Sequence, residues 1–251
     1  MNHVWKGKTV IVTGGSFGIG KATALSFATG GAQVVIADRV NNEETLKAIK
    51  DAGGKAIFTQ CDVSDETAVK NMVEMTVNTF GGLDYAVNNA GIEGEQYLCH
   101  ELDSKAWDRM ISVNLKGVWL CMKYQIPEIL KIGKGAIVNV ASIAGLVGFP
   151  AASHYVASKH GVIGLTKASA LENTKTGIRI NALCPGVIKT PMIDRALGQD
   201  QAVEEGYRNA VPMGRFGSAE EMADAILYLC SDASSYMTGQ CLVADGGWTV
   251  Q

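Results

Sequence analysis

The chain has 251 residues, 47% of them hydrophobic and 19% charged, with a formal net charge of −3 and a pI near 5.8. That is enough apolar content for one full core over residues 1–251, and the mildly acidic balance, with no run of Lys and Arg, excludes the footprint of a nucleic-acid or anionic-membrane partner. No apolar stretch reaches the ~20 residues of a membrane span and the opening MNHVWKGK lacks a signal peptide's apolar core, so a cytoplasmic location is expected.

Short β-rich runs alternate with helical patterns. The first predicted strand, 8–12, runs into TGGSFGIG and then the helical KATALSFATGG. In that loop Gly14 allows the turn, Gly18 lets backbone approach a pyrophosphate and Gly20 lets the helix pack closely, while the helix N-terminus attracts the anion. Ser16, Phe17 and Ile19 complete the expected binding loop. The second strand, 32–37, leads to Asp38, where an acid can take both ribose hydroxyls of an adenosine. A 2′-phosphate about 4 Å from that carboxylate costs roughly 4 kcal/mol per unit charge at an effective dielectric near 20. NAD is therefore the expected cofactor; Arg39 could bind such a phosphate if Asp38 swung away.

Asn41, three residues before Glu44, is the expected cap of the next helix, and Gly53 is placed to end it. The third strand, 55–60, gives way to Asp62 and Val63. Asp62 either accepts from an adenine amino group, with Val63 packed near the ring, or begins a loop. Gly81 ends the following helix, and the fourth strand, 83–89, runs into Asn89, Ala90 and Gly91. Both junctions lie at strand carboxyl ends, the side on which an open α/β sheet binds ligands.

The fifth strand, 135–142, ends on Ser142, and the helix after it carries Tyr155 and Lys159 in YVASK. Four residues is just over one turn, so phenol and ammonium share a face. A free tyrosine titrates near pH ~10, so proton exchange at neutral pH needs roughly 3 units of depression, or about 4 kcal/mol. A nearby lysine cation has the right sign. His154 and His160 flank the pair but point away by about 100°, as pocket or packing residues. Nearly opposite Tyr155, the small residues Ala157, Gly161, Gly164 and Ala168 form a band open to close approach, by a neighbouring subunit or by a helix of the same chain.

The sixth strand, 178–185, precedes Pro185, Gly186, Val187, Ile188 and Thr190. The segment at about 190–216 then breaks the rhythm with Pro191, Gly198, Pro212 and Gly214, and is expected to be a substrate lid. Ser218 and Glu221 cap the last long helix, and a seventh strand spans 240–245. Near-continuous apolar strands suit an α/β, doubly wound Rossmann-type fold: a seven-stranded parallel sheet with helices on both faces. The six cysteines show no CxxC pair and no zinc spacing, and are read as reduced, mostly buried small hydrophobes with no metal role. Cys184 is the one singled out for thiol reactivity.

TGGSFGIG, Asp62-Val63, Asn88-Asn89-Ala90-Gly91, Asn114 in SVN, Ser142, YVASK, Pro185-Gly186 and the closing DGG at 245–247 together make the chain resemble the short-chain dehydrogenase/reductase family, from about residue 5 to residue 248. The resemblance implies that Tyr155 is the general acid/base and that Lys159 holds the nicotinamide ribose and lowers the tyrosine pKa. It also implies that Ser142 orients the substrate oxygen, that Asn114 holds a water in a relay to Lys159, and that Val187, Ile188 and Thr190 grip the carboxamide. A homo-oligomer, tetramer or dimer, is implied too.

The expected activity is hydride transfer between NAD and a secondary alcohol or ketone. A pocket drawn from Glu93, Ile143 and the residues up to 149, His154 and Met192 is apolar, which suits a cyclic or hydrophobic alcohol without a phosphate. Glu93 either bonds a second hydroxyl or is an exposed loop acid. Two alternatives stand beside this reading. NADPH-dependent reduction, as in the similar 3-oxoacyl carrier-protein reductases, is opposed by Asp38; a non-catalytic dinucleotide sensor is opposed by the presence of both Tyr155 and Lys159.

Overall fold

The computed structural model describes residues 4–198 and 201–251, apart from the side chain of Ala196. Strands and helices alternate as β1 (Thr9–Thr13), α1 (Gly18–Thr29), β2 (Gln33–Asp38), α2 (Glu43–Asp51), β3 (Lys55–Gln60), α3 (Glu66–Phe80), β4 (Tyr85–Asn88), α4 (Ser104–Ile111), α5 (Gly117–Ile132), β5 (Gly135–Val140), α6 (Ser153–Asn173) and β6 (Ile178–Pro185). Then follow α7 (Pro191–Leu197), α8 (Gln201–Ala210), α9 (Ala219–Cys230) and β7 (Cys241–Ala244). All pairings are parallel, in the order β3-β2-β1-β4-β5-β6-β7. The chain winds outward from β1 to β3 and returns to β4 on the other side of β1. The crevice this reversal opens at the strand carboxyl ends is where such sheets bind ligands.

The core follows the two-residue period of a strand. Ile11 and Val35 point to one face, with Val69 and Met72 of α3 and Val162 of α6. Val10, Val12, Val34 and Ile36 point to the other, with Phe27 of α1 and Ile226 of α9. Each such buried side chain contributes about 1.5–3 kcal/mol before conformational entropy is charged against it. No helix among the described residues is long and apolar enough to cross a membrane.

The predicted strands differ from the observed ones at their ends. The third and sixth agree in extent, β1 and β2 lie one residue further on, and β4, β5 and β7 are shorter. Asn89 leaves β4 because its side-chain amide donates to the carbonyls of Thr13 (3.0 Å) and Gly14 (3.1 Å). The cap of α2 is Asn42, not Asn41: the helix starts at Glu43, and the Asn42 side chain accepts from Glu44 N at 3.1 Å. The box at Ser218 and Glu221 forms as read, with hydrogen bonds of 3.1 and 2.8 Å.

Candidate active site

The glycine loop is shaped by positions that tolerate no Cβ. Gly14 and Gly18 have φ of +62° and +52°. A Cβ on Gly20 would stand 2.1 Å from the Gly14 carbonyl oxygen and 2.7 Å from Asn89 Nδ2, and one on Gly18 would meet Thr190 Cγ2 at 3.1 Å. Loop, β4 exit and β6 exit therefore share one crevice. Helix α1 begins at Gly18 with no side-chain cap from Phe17 and no acid in its first turn, which leaves its first N–H groups for an anion. Phe17 is exposed, Ile19 packs on the core, and Ser16 is fixed from below by Asn42 Nδ2 and Thr45 Oγ1, which donate to its carbonyl at 3.0 and 2.9 Å. The residues present fit a dinucleotide.

Asp38 lies beside this loop, where its carboxylate accepts from Ser16 N at 3.1 Å. Arg39 is drawn aside to Asp62, 3.6 Å away. Asp62 itself accepts from Ser64 N and Oγ at 3.0 and 2.6 Å. Burial pushes the Asp62 carboxyl up, but those bonds and Arg39 outweigh it and hold it below the usual carboxylate range. Its loop-forming role is thus the visible one. Val63, beside it, is 6% exposed and packs against Gly117.

Four side chains from three parts of the fold converge past the end of β5. Lys159 Nζ donates to the carbonyl of Val140 at 3.0 Å and stands 5.6 Å from the Tyr155 ring centroid. Ser142 follows that strand and accepts from Ala144 N at 3.1 Å. Asn114, in one π-helical turn between α4 and α5, donates to Ile92 O at 2.9 Å and accepts from Ile92 N at 2.8 Å. It clamps the loop after β4, whose Gly91 lies next to Lys159: a Cβ there would be 3.8 Å from Nζ.

The electrostatics differ from the expectation at Tyr155. Burial raises its phenol above the ordinary value, Ser142 pulls it back and Glu93 pushes it up further. Lys159 adds no depression in the chain alone; it is itself only 5% exposed, and burial brings its ammonium down to about 8.

At the β6 exit Gly186 has Asp245 as its neighbour, 2.7 Å from where a Cβ would sit, and Val187 O accepts from Gly217 N at 3.0 Å. Pro185 closes β6 and Ile188 is buried. Thr190 caps α7 through Ile193 N at 3.5 Å and donates to Ile188 O at 3.2 Å.

The expected pocket residues differ in exposure. His154 is 2% exposed; its Nε2 and Met110 Cε both crowd Gly94, and its Nδ1 has no partner. Ile143 is buried in the short turn after Ser142, which leaves Leu146, Val147 and Phe149 as the accessible part of that loop. Met192 is half-buried on α7. Cys184 is fully buried, and its hydrogen bond with Cys241 together with burial holds its thiol well above the ordinary value, so it is not the reactive thiol expected. Gly161 packs inside its own chain, against Leu115, whereas Gly164 and Ala168 are exposed.

Sequence reasoning missed three features here. Arg195 on α7 donates to Glu93 through Nε at 3.1 Å and Nη2 at 3.5 Å. Ala151, with φ of +59°, accepts from Tyr97 N at 2.9 Å just before α6. Phe149 meets Trp248 at 5.9 Å between ring centroids. The partners are far apart in the chain, and no local pattern announces them.

Residues 14–249 match the family model described as enoyl-(acyl carrier protein) reductase. The chain is 45% identical over 244 residues to the 2,5-dichloro-2,5-cyclohexadiene-1,4-diol dehydrogenase of Sphingobium indicum, covering 97% of each chain. It is 44% identical to the cyclohexanol dehydrogenase of an Acinetobacter species, covering 99% of this chain and 98% of that one. The crystal structure of levodione reductase superposes with a TM-score of 0.96 at 35% identity, covering 98% of this chain and all of the other. A dehydrogenase structure from Agrobacterium tumefaciens with bound NADP superposes at 0.91, with 36% identity and 99% of each chain covered.

Proposed function

The chain belongs to the short-chain dehydrogenase/reductase family, and we propose that it interconverts an uncharged cyclic secondary alcohol and its ketone with NAD(H). One observation carries the reading: Ser142, Tyr155 and Lys159 meet beside a glycine-lined crevice that has an acid, Asp38, at its adenosine end. The substrate class is supported by the apolar Leu146, Val147 and Phe149 at the cleft and by the ring alcohols named for the similar dehydrogenases.

The protein's work is placement and proton transfer. Ser142 donates a hydrogen bond to the substrate oxygen, and Tyr155 takes the hydroxyl proton as the C–H bond breaks. NAD, when bound, supplies the hydride acceptor. Lys159 holds a ribose and Asn114 keeps the loop after β4 against it. The buried phenol needs more positive charge than the chain alone supplies before it can act as a base near neutral pH, and Lys159, 5.6 Å from its ring centroid, is a cation below about pH 8.

Gly14, Gly18 and Gly20 give the pyrophosphate its approach, Asp38 takes the ribose hydroxyls, and Gly186 to Thr190 hold the carboxamide. Asp38 favours NAD over NADP, with Arg39 engaged by Asp62. The segment at 190–216 acts as the lid, the exposed Gly164 and Ala168 meet a second subunit of a homotetramer, and six free cysteines suit the cytoplasm.

The decisive experiment is a panel of cyclic and open-chain secondary alcohols and ketones assayed with NAD(H) and NADP(H). Faster turnover of six-membered ring alcohols with NAD is expected. A clear NADPH preference with 3-oxoacyl thioesters would replace this reading by the reductase alternative, and NADH binding without any turnover would replace it by the sensor.

A further inference from the structure

The loop after β4 lies along the start of α6 at every third residue. Gly91 abuts Lys159, Gly94 abuts His154, and Tyr97 N bonds Ala151 O. Ile92 is fixed at both its N–H and its C=O by Asn114. Glu93 sits within this pinned run, and its side chain crosses to the opposite bank of the cleft, where Arg195 of α7 takes both carboxylate oxygens. The two residues are 102 apart in sequence. The start of α7 is anchored as well, since Thr190 caps it and its Asp194 pairs with Lys189 at 2.8 Å.

We propose that Glu93 is a specificity residue that accepts a hydrogen bond from a second hydroxyl on the substrate ring, and that Arg195 is the positioning residue that aims it. The proposal rests on the ring-alcohol reading above. An ionised carboxylate is acceptor-only, so it rewards a hydroxyl, gives nothing to a methyl group and repels a carboxylate. The two Arg195 bonds restrict the Glu93 rotamer without removing its free lone pairs, since each carboxylate oxygen has room for a second donor. Glu93 also acts electrostatically on Tyr155, so its charge is felt across the cleft. At 31% side-chain exposure Glu93 is reachable by a ligand; Arg195, at 63%, is the outer half of the pair.

The test compares trans-cyclohexane-1,4-diol with trans-4-methylcyclohexanol, which has the same shape across the ring but no second hydroxyl, using the full chain with NAD. A charge-assisted hydrogen bond at a partly exposed site predicts that wild type favours the diol by about tenfold in kcat/KM, and that Glu93→Gln, which keeps an amide acceptor but loses the charge, lowers that ratio about threefold. Arg195→Met is expected to lower the same ratio by raising KM for the diol. The double variant should be no worse than Glu93→Gln alone, because Arg195 acts through Glu93. If both substrates fall in equal proportion in Glu93→Gln, or if wild type shows no preference, the pair only ties the lid and the proposal is overturned. Turnover of neither ring alcohol overturns the proposal and the ring-alcohol reading together. NADH titration and circular dichroism on each variant separate these outcomes from misfolding.

Discussion

Lys159 donates to the carbonyl of Val140 while standing 5.6 Å from the ring centroid of Tyr155, so the last residue of β5 anchors the cation beside the phenol. The same strand end delivers Ser142 two residues later. A helix and a strand are thereby locked in one register around Tyr155 and Ser142.

The buried cation should cost stability. Its folded value of about 8 lies below the 10.5 of a free lysine, so between those pH values the unfolded chain binds the extra proton and stability rises with pH. Below about pH 8 the full cost stands. Lys159→Met is expected to raise stability at pH 7 by about 1–3 kcal/mol while abolishing turnover. Thermal melts from pH 7 to 10 should show that gain shrinking; a gain that grows with pH would contradict the burial argument.

Tyr155→Phe removes the proton path and little else. Turnover should fall by roughly 10²–10⁴-fold with NADH affinity nearly intact, read by steady-state rates and nucleotide fluorescence. Parallel loss of affinity and rate would mark the phenol as a structural element.

Coenzyme choice should sit on Asp38. Asp38→Asn keeps an acceptor for Ser16 N but removes the charge that opposes a 2′-phosphate. The kcat/KM ratio is expected to move toward NADP by about 10–100-fold. An unmoved ratio would transfer the choice to residues other than Asp38.

Glycines of the same chain should respond in opposite directions. Gly20→Ala drives a methyl to 2.1 Å from a carbonyl oxygen and should cost about 3 kcal/mol with loss of nucleotide binding. Gly164→Ala adds a methyl on an exposed helix face with nothing within 4 Å, and should stabilise an isolated chain by about 0.5–1 kcal/mol. Denaturant titrations of the two variants provide the comparison. If Gly164→Ala instead destabilises and alters the elution volume, that face is filled by another subunit.

Much of the fold was legible because its signals are local. Apolar runs such as 178–185 read as buried parallel strands from composition alone, and Gly14, Gly18 and Gly20 announce a turn that admits no side chain. Tyr155 and Lys159 share a helix face by spacing. Errors arose where a neighbour one position away could do the same job, as with Asn42 for Asn41, or where burial decided the role. Val63, Ile143 and His154, the last in the first turn of α6, are buried to a degree that no local pattern announces.

Residue order by itself determined the alternating α/β architecture, the glycine crevice and the phenol–ammonium pair, since periodicity and i to i+4 spacing act within a few residues. Only the tertiary structure decided that Asn114 grips Ile92, that Glu93 reaches Arg195, that Cys184 is sealed against Cys241 and that Lys159 titrates near 8. Those outcomes depend on distance in space and on exclusion of water, and both are set by how the sheet and its helices close on one another.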